Sequence, residues 1–216
     1  MSCEQIEDFE KACVAMQNAF RDGAAYQYLA CKLQGKPLTV AHEGPAAIDA
    51  LTRNFLTHYR DHGAEIVHAG DYSTVAIWTL PGKSVPMERT SDERFNATFF
   101  DESAAVKQRV IPQGMDYYYL FMIGRDPTST AKGSTRAVFD KYTRLADAEG
   151  RALVLEAITE SARDVYAYFG FVNYNTFRYG MGEVDAAGRI DPEGEGHTGY
   201  LMVYLPGARE KLSSAA

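Results

Sequence analysis

Apolar residues recur along the chain in two rhythms, one of three to four residues and one of unbroken short runs. Ile6, Phe9, Ala12, Cys13, Met16 and Phe20 stand three and four apart. That spacing predicts an amphipathic helix from Glu4 to Arg21, with Gly23 where a helix stop belongs. The next stretch, AAYQYLACKLQGKP, holds neither rhythm, and it stays open between helix and irregular chain. Gly44 and Pro45 open a second helix that runs to about His62, apolar at Ile48, Leu51, Phe55, Leu56 and Tyr59 and stopped by Gly63. Glu65 to Ala69 and Ser73 to Leu80 read as strands joined by Gly70-Asp71, an antiparallel hairpin closed by Pro81-Gly82. Residues 83–115 carry the weakest pattern. Asp92 to Gln108 is weakly helical and highly charged, and Pro112-Gln113-Gly114 breaks it.

The middle of the chain is clearer. Asp116 to Ile123 is apolar on both faces, as a central strand is. A helix from about Ser134 to Glu149 follows, with Val138, Phe139, Tyr142 and Leu145 on one side and Gly150 as its cap. Ala152 to Ala157 is a second apolar strand, interrupted only by Glu156. Strand, helix and strand with short joins predict a right-handed βαβ unit of parallel strands. A short helix from Ser161 to Phe169 ends at Gly170, and Val172 to Tyr179 and His197 to Leu205 close the chain as strands. The stretch between them, MGEVDAAGRIDPEGEG, is rich in glycine and acid and is expected to be mobile. The sheet is therefore expected to be antiparallel at both ends and parallel in the middle, in a mixed α/β domain that is not doubly wound.

Composition narrows the function. The 216 residues are 46% hydrophobic and 24% charged, and they suit one soluble domain, residues 1–216, with a sizeable core. The net charge of -7 argues against nucleic acid and anionic membrane as general partners. Cys3, Cys13 and Cys31 show neither CxxC nor Cys/His spacing, so neither a disulfide framework nor a zinc site is expected. The acidic MSCEQIEDFE lacks the basic start of a signal or transit peptide, and the closing Ser213 to Ala216 is no known address. With no apolar run of membrane-spanning length, the reading is a reducing, cytoplasmic location. His58 and His62 share a helical face without a third ligand, which favours a solvated face over a metal site, and no metal is assigned.

One stretch invites chemistry: Tyr117 to Thr135, YYYLFMIGRDPTSTAKGST, a strand, a polar loop and a helix start. Unpaired N–H groups at a helix N-terminus bind phosphate when the loop lets them face one point. Gly133 allows close approach, Ser129, Thr130, Ser134 and Thr135 offer hydroxyls, and Arg125, Lys132 and Arg136 raise the local potential. A capped helix holding nothing fits these residues equally well. The order Lys132-Gly133-Ser134 is not that of a P-loop, and no GxGxxG follows a first strand.

Residues 143–171, TRLADAEGRALVLEAITESARDVYAYFGF, resemble the Gcn5-related N-acetyltransferase (GNAT) superfamily, and so does the loop. Its phosphate-loop pattern, Gln/Arg-x-x-Gly-x-Gly/Ala after Asp-Pro, meets Asp126-Pro127 and then Thr130-Ala131-Lys132-Gly133-Ser134-Thr135 here. Thr130 stands for Gln/Arg and Thr135 for Gly/Ala. Leu155-Glu156 and Tyr166-Ala167-Tyr168-Phe169-Gly170-Phe171 match the later signature. Within the superfamily, Val75 to Pro81, the spacing from Glu156 to Phe171 and the run Tyr200 to Val203 resemble the puromycin N-acetyltransferase-like branch common in fungi and actinobacteria.

The resemblance implies a GNAT fold: a mixed, mostly antiparallel sheet flanked by helices, with a central splayed parallel pair. Residues 1–63 would form the acceptor side, 116–171 the acetyl-CoA-binding core and 172–216 the closing strands. It implies acetyl transfer from acetyl-CoA to a small-molecule amine by direct attack in a ternary complex. Backbone groups at Phe121, Met122 and Ile123 would hold the pantetheine, and Thr130, Ala131, Lys132, Gly133, Ser134 and Thr135 the pyrophosphate. Tyr166 would be general acid toward the thiolate, or a core tyrosine; Glu156 would accept the amine's proton, or orient a strand end. The family's Asn four residues before the tyrosine is Ala162 here. These departures leave a non-catalytic acyl-CoA-binding module on the same fold as the alternative. Tyr26, Tyr28 and Tyr117 to Tyr119 could line the acceptor pocket, and Asp92, Glu93, Asp101 and Glu102 could draw in a cationic amine, although packing and a solvated surface explain them as well. The acceptor, N- versus O-acetylation and a homodimeric state stay open.

Overall fold

In the computed structural model, residues 1–209 are described; the closing Ser213 to Ala216 lies outside them. Seven strands run in the order β1-β2-β3-β4-β5-β7-β6, mostly antiparallel with β4 and β5 as the parallel pair, and helices flank them. This is the mixed α/β fold expected from the resemblance. The strands are β1 Cys3–Gln5, β2 Glu65–Ala69, β3 Thr74–Thr79, β4 Tyr117–Arg125, β5 Ala152–Ala157, β6 Val172–Tyr179 and β7 His197–Tyr204. The helices are α1 Phe9–Phe20, α2 Ala24–Leu33, α3 Pro45–Asp61, α4 Glu93–Asn96, α5 Ser103–Val110, α6 Ser134–Glu149 and α7 Glu160–Tyr168. The chain divides into two compact units, residues 1–88 with 119–142, and residues 89–118 with 143 onward.

In the first unit, β2 and β3 form the expected hairpin, with Ile66 opposite Ile77 and Val67 opposite Ala76. Its turn holds Gly70, Asp71 and Tyr72 all at positive φ. Tyr72 then reaches back: its phenol oxygen accepts the N–H groups of Glu7 at 3.2 Å and Asp8 at 2.8 Å, and its ring stacks on His68 at 4.0 Å. This anchorage corrects the expected helix from Glu4. Cys3 to Gln5 pair with β2 as a short edge strand, and the helix begins only at Phe9, where Asp8 accepts the Lys11 N–H at 3.0 Å. The open AAYQYLACKLQGKP stretch is helical, as α2, and buries Tyr26, Leu29, Ala30 and Cys31.

Helix α1 lies close on the sheet because β4 offers a glycine there. A Cβ on Gly124 would stand 2.7 Å from the Ala19 Cβ and 2.9 Å from the Phe20 ring. On the other face, Trp78 of β3 is fully buried and stacks on Tyr142 of α6 at 4.0 Å, and the Tyr142 phenol donates to Glu65.

In the second unit, β5, β7 and β6 are antiparallel, with Leu155 opposite Met202 and Phe177 opposite Gly199. Helix α7 is capped by the Thr159 hydroxyl, which accepts the Ala162 N–H at 3.1 Å. The weakly helical Asp92 to Gln108 run is helical: residues 93–110 form one continuous segment, α4 and α5 joined by a π-helical stretch, Ala97–Glu102. The stretch expected to be mobile, 181–196, is instead folded on itself. Gly182 N–H donates to the Gly194 carbonyl and Gly196 N–H to that of Val184, each at 2.8 Å, and Val184 is buried. Among the described residues, no helix is long and apolar enough to cross a membrane.

Filling the Gly124 niche tests the α1 contact. Gly124→Val should destabilise the protein by about 1–3 kcal/mol, because α1 must shift to admit the new methyl groups. Urea denaturation of the variant against the wild type measures it.

Candidate functional site

The residues flagged by sequence fall in both units, and each place is built on its own. In the first unit the register of β4 against β3 slips. Ile77 faces Met122 and Trp78 faces Leu120, so Phe121 has no opposite residue and forms a β-bulge. Its ring stacks on Tyr59 of α3 at 3.9 Å and meets the edge of Phe55 at 5.1 Å. A bulge interrupts regular pairing and turns the strand, so the irregularity in the β4 ladder falls at Phe121, whereas Met122 and Ile123 stand opposite Ile77 and Ala76.

Past Arg125 the chain enters the loop. The Asp126 N–H donates to the Ser73 carbonyl at 2.8 Å, which ties the loop to the hairpin. The Asp126 side chain shapes the turn, accepting from the Thr128 hydroxyl at 2.7 Å, the Thr128 N–H at 2.8 Å and Asn18 at 3.1 Å. Burial alone would raise its carboxyl, but those hydrogen bonds and the nearby Arg125 charge hold it below the ordinary carboxylate value. Arg125 is more than a source of positive potential. Its guanidinium donates to the carbonyls of Ser129 at 2.9 Å and Ala131 at 3.1 Å, so it staples the loop.

The loop ends at Gly133, where φ is 81° and the space a Cβ would fill is empty to 4 Å. Its carbonyl accepts the Ala137 N–H at 3.0 Å, the first helical hydrogen bond of α6, so the preceding N–H groups of this helix end have no intrahelical acceptor. Thr130, Lys132 and Gly133 are exposed and Ala131 is half-buried. Ser134 points the other way: it is 1% exposed, and its hydroxyl meets those of Thr74 at 2.8 Å and Ser73 at 3.1 Å. The Thr135 hydroxyl joins the same cluster, 3.2 Å from Thr74. The sequence offered both as donors toward a ligand; the fold uses the Ser134 hydroxyl to dock the helix on β3. An exposed glycine, a helix N-terminus and a bulged strand leading into it fit an extended, phosphate-bearing ligand.

In the second unit Glu156 sits near the end of β5 opposite Leu201, which in turn faces Asn175 of β6. Its side chain is 8% exposed, and Lys107 of α5 places its ammonium 3.8 Å from Oε1. The same helical segment is fixed on the sheet by Glu102, which accepts from Asn175 at 3.0 Å, and by Phe99, 5.9 Å from Phe177. The Lys107 contact was beyond sequence reasoning, since nothing in the charged run 92–108 marks which cation turns inward. Tyr166 of α7 is half-buried with its ring 6.3 Å from Phe171, and burial pushes its phenol above the ordinary value.

The remaining candidates have structural roles. Asp92 caps α4 through the N–H groups of Arg94 and Phe95, each at 3.0 Å. Asp101 pairs with Arg89 at 2.6 and 2.9 Å. The Tyr26 phenol lies 2.7 Å from the Thr52 hydroxyl in the core, Tyr28 is buried, and Tyr118 donates to Glu149 at 2.8 Å. The rings of His58 and His62 lie 4.3 Å apart, tilted by 44°, with His58 Nε2 2.7 Å from the Pro86 carbonyl. Among the described residues, no three His, Cys, Asp or Glu side chains group to hold a metal ion.

Comparison with known proteins adds a second line of support. The family described as "YOR012W acetyl transferase domain" matches residues 4–84. "Uncharacterized protein YDR391C" of Saccharomyces cerevisiae is 41% identical over 199 residues, covering 91% of this chain and 84% of that one. "Uncharacterized N-acetyltransferase C550.08" of Schizosaccharomyces pombe is 22% identical over 191 residues, covering 80% and 74%. In fold the chain is similar to a histone acetyltransferase HPA2-related acetyltransferase from Corynebacterium glutamicum, at TM-score 0.58 and 20% identity over 95% of this chain and 96% of that one.

The loop carries its own pH signature. A carboxyl held low in the fold stabilises it above the unfolded value, about pH 3.9, and that contribution is lost as pH falls through the folded value. Against Asp126→Asn, the wild type should therefore show its full advantage above about pH 5 and a shrinking one below about pH 4. Thermal melts of both proteins across that range measure it.

Proposed function

The chain belongs to the YOR012W acetyltransferase-domain family of the Gcn5-related N-acetyltransferase superfamily, and we propose that it moves the acetyl group of acetyl-CoA to a small-molecule amine by direct attack in a ternary complex. The observation that carries this reading is the bulge at Phe121, on the strand that leads within a dozen residues to an exposed glycine and the N-terminus of α6.

Each residue then has a task that its setting suits. Backbone groups at Phe121, Met122 and Ile123 bind the pantetheine as a strand would. Thr130, Ala131, Lys132 and Gly133, with the first N–H groups of α6, take the pyrophosphate. Ser134 and Thr135 contribute through their backbone, and Ser134 spends its hydroxyl on β3. Glu156, sheltered from water, accepts the proton of the attacking ammonium. Tyr166, protonated at neutral pH like any phenol and pushed further above its ordinary value by burial, gives a proton to the departing thiolate. The helices of residues 1–63 frame the acceptor side of a single acetyltransferase domain that works in the cytoplasm.

A second reading keeps the ligand and drops the turnover: an acyl-CoA-binding module. Thr130, Thr135 and Ala162, each a departure from the family pattern, favour it, as does the lysine already paired with Glu156. Calorimetric titration with acetyl-CoA followed by a panel of primary amines separates the two. The enzyme reading expects acetyl-CoA binding and transfer to at least one amine. Gly133→Asp should weaken binding about tenfold or more by bringing a carboxylate to the phosphates. Tyr166→Phe should leave binding intact and cut turnover by about 10²-fold. Binding without transfer supports the second reading, and unchanged affinity in Gly133→Asp defeats both.

A further inference from the structure

We propose that Lys107 is a self-acetylation site, modified by the chain's own acetyl transfer; this rests on Glu156 acting as the base of that reaction. The argument is one of position. The structure already holds a primary ammonium 3.8 Å from the Glu156 carboxylate, with the lysine side chain 22% exposed and the glutamate 8%. A base so sheltered meets first the amine built in beside it. That amine is held by its helix: Glu102 anchors the segment to Asn175 at 3.0 Å, and Phe99 packs near Phe177 and Tyr179. A tethered nucleophile reacts as if at very high concentration, provided that its reacting atom comes within about 3–3.5 Å of the carbonyl carbon.

The chemistry balances with acetyl-CoA as the only co-reactant. Glu156 takes one proton from the Lys107 ammonium. The freed lone pair forms a bond from Nζ to the thioester carbonyl carbon, and the C–S bond breaks with its electron pair on sulfur. The nitrogen sheds a second proton as the thiolate gains one, leaving an amide, a free thiol and one proton released from Glu156. The product carries no charge, so Glu156 loses its built-in ammonium and can meet that of a free amine. Lys107 competes with outside acceptors until it is acetylated.

The test needs no known acceptor. The full chain is incubated with isotopically labelled acetyl-CoA, and the label is mapped by peptide mass spectrometry, with the exposed Lys36 and Lys83 as internal references. Lys107 should be labelled at least about tenfold faster than these, at a first-order rate independent of protein concentration, as an intramolecular reaction requires. Glu156→Gln should slow labelling of Lys107 by about 10²-fold while leaving Lys36 and Lys83 unchanged. The concentration test is made on the wild type, so it stands even if that variant fails to fold. Label at Lys107 no faster than at the references, in a protein that binds acetyl-CoA by calorimetry, overturns this proposal and leaves the acetyltransferase reading intact. Equal labelling of Lys107 in a folded Glu156→Gln variant overturns it too. Absence of acetyl-CoA binding removes both.

Discussion

One extra residue in β4 sets the geometry of the first unit. With Phe121 unmatched across the ladder, β4 pairs with β3 in a register shifted by one residue across the bulge, and the Phe121 ring lies flat on Tyr59. A bulge is costly unless something fixes it, and here an aromatic stack, with an edge contact to Phe55, does so from one helix. The strand emerges in register for Gly124 to admit α1 and for Arg125 to reach the loop carbonyls.

A second cluster works with the bulge. Ser73, Thr74, Ser134 and Thr135 bring four hydroxyls together where β3 begins and α6 starts, and the first three residues are almost wholly shielded from water. Buried hydroxyls need partners, and these supply one another. The effect is to lock the start of α6 onto β3, while Thr130, Lys132 and Gly133 stay exposed on the loop.

Much of this was legible in the sequence, and the rest was not for definite reasons. Helices α3 and α6 and strands β2 and β5 followed from spacing and punctuation, because one apolar stripe marks each of these helices and short apolar runs between turn residues mark the strands. The edge strand Cys3–Gln5 was hidden, since three residues, one half-buried and two exposed, carry no period and their pairing depends on β2, sixty residues away. The π-helical stretch was illegible because Phe99 and Phe100 are neighbours, and adjacency cannot show which ring turns toward the sheet. The 181–196 stretch misled by composition: its glycines permit close backbone approach and do not loosen the chain, and a Cβ on Gly194 would fall 2.2 Å from the Val184 carbonyl oxygen. Among the candidate residues, the loop's residue types pointed to Gly133, and the family resemblance to Glu156 and Tyr166. The inward turn of Ser134, the staple made by Arg125 and the approach of Lys107 to Glu156 are facts of tertiary packing.

The hairpin turn has one further consequence. A Cβ on Gly70 would stand 3.2 Å from the side chains of Ser73 and Ser134, a tight contact, and two residues on Tyr72 holds the backbone of Glu7 and Asp8 through its phenol oxygen. Contacts at this one turn therefore join the first residues of the chain, the hairpin and the start of α6.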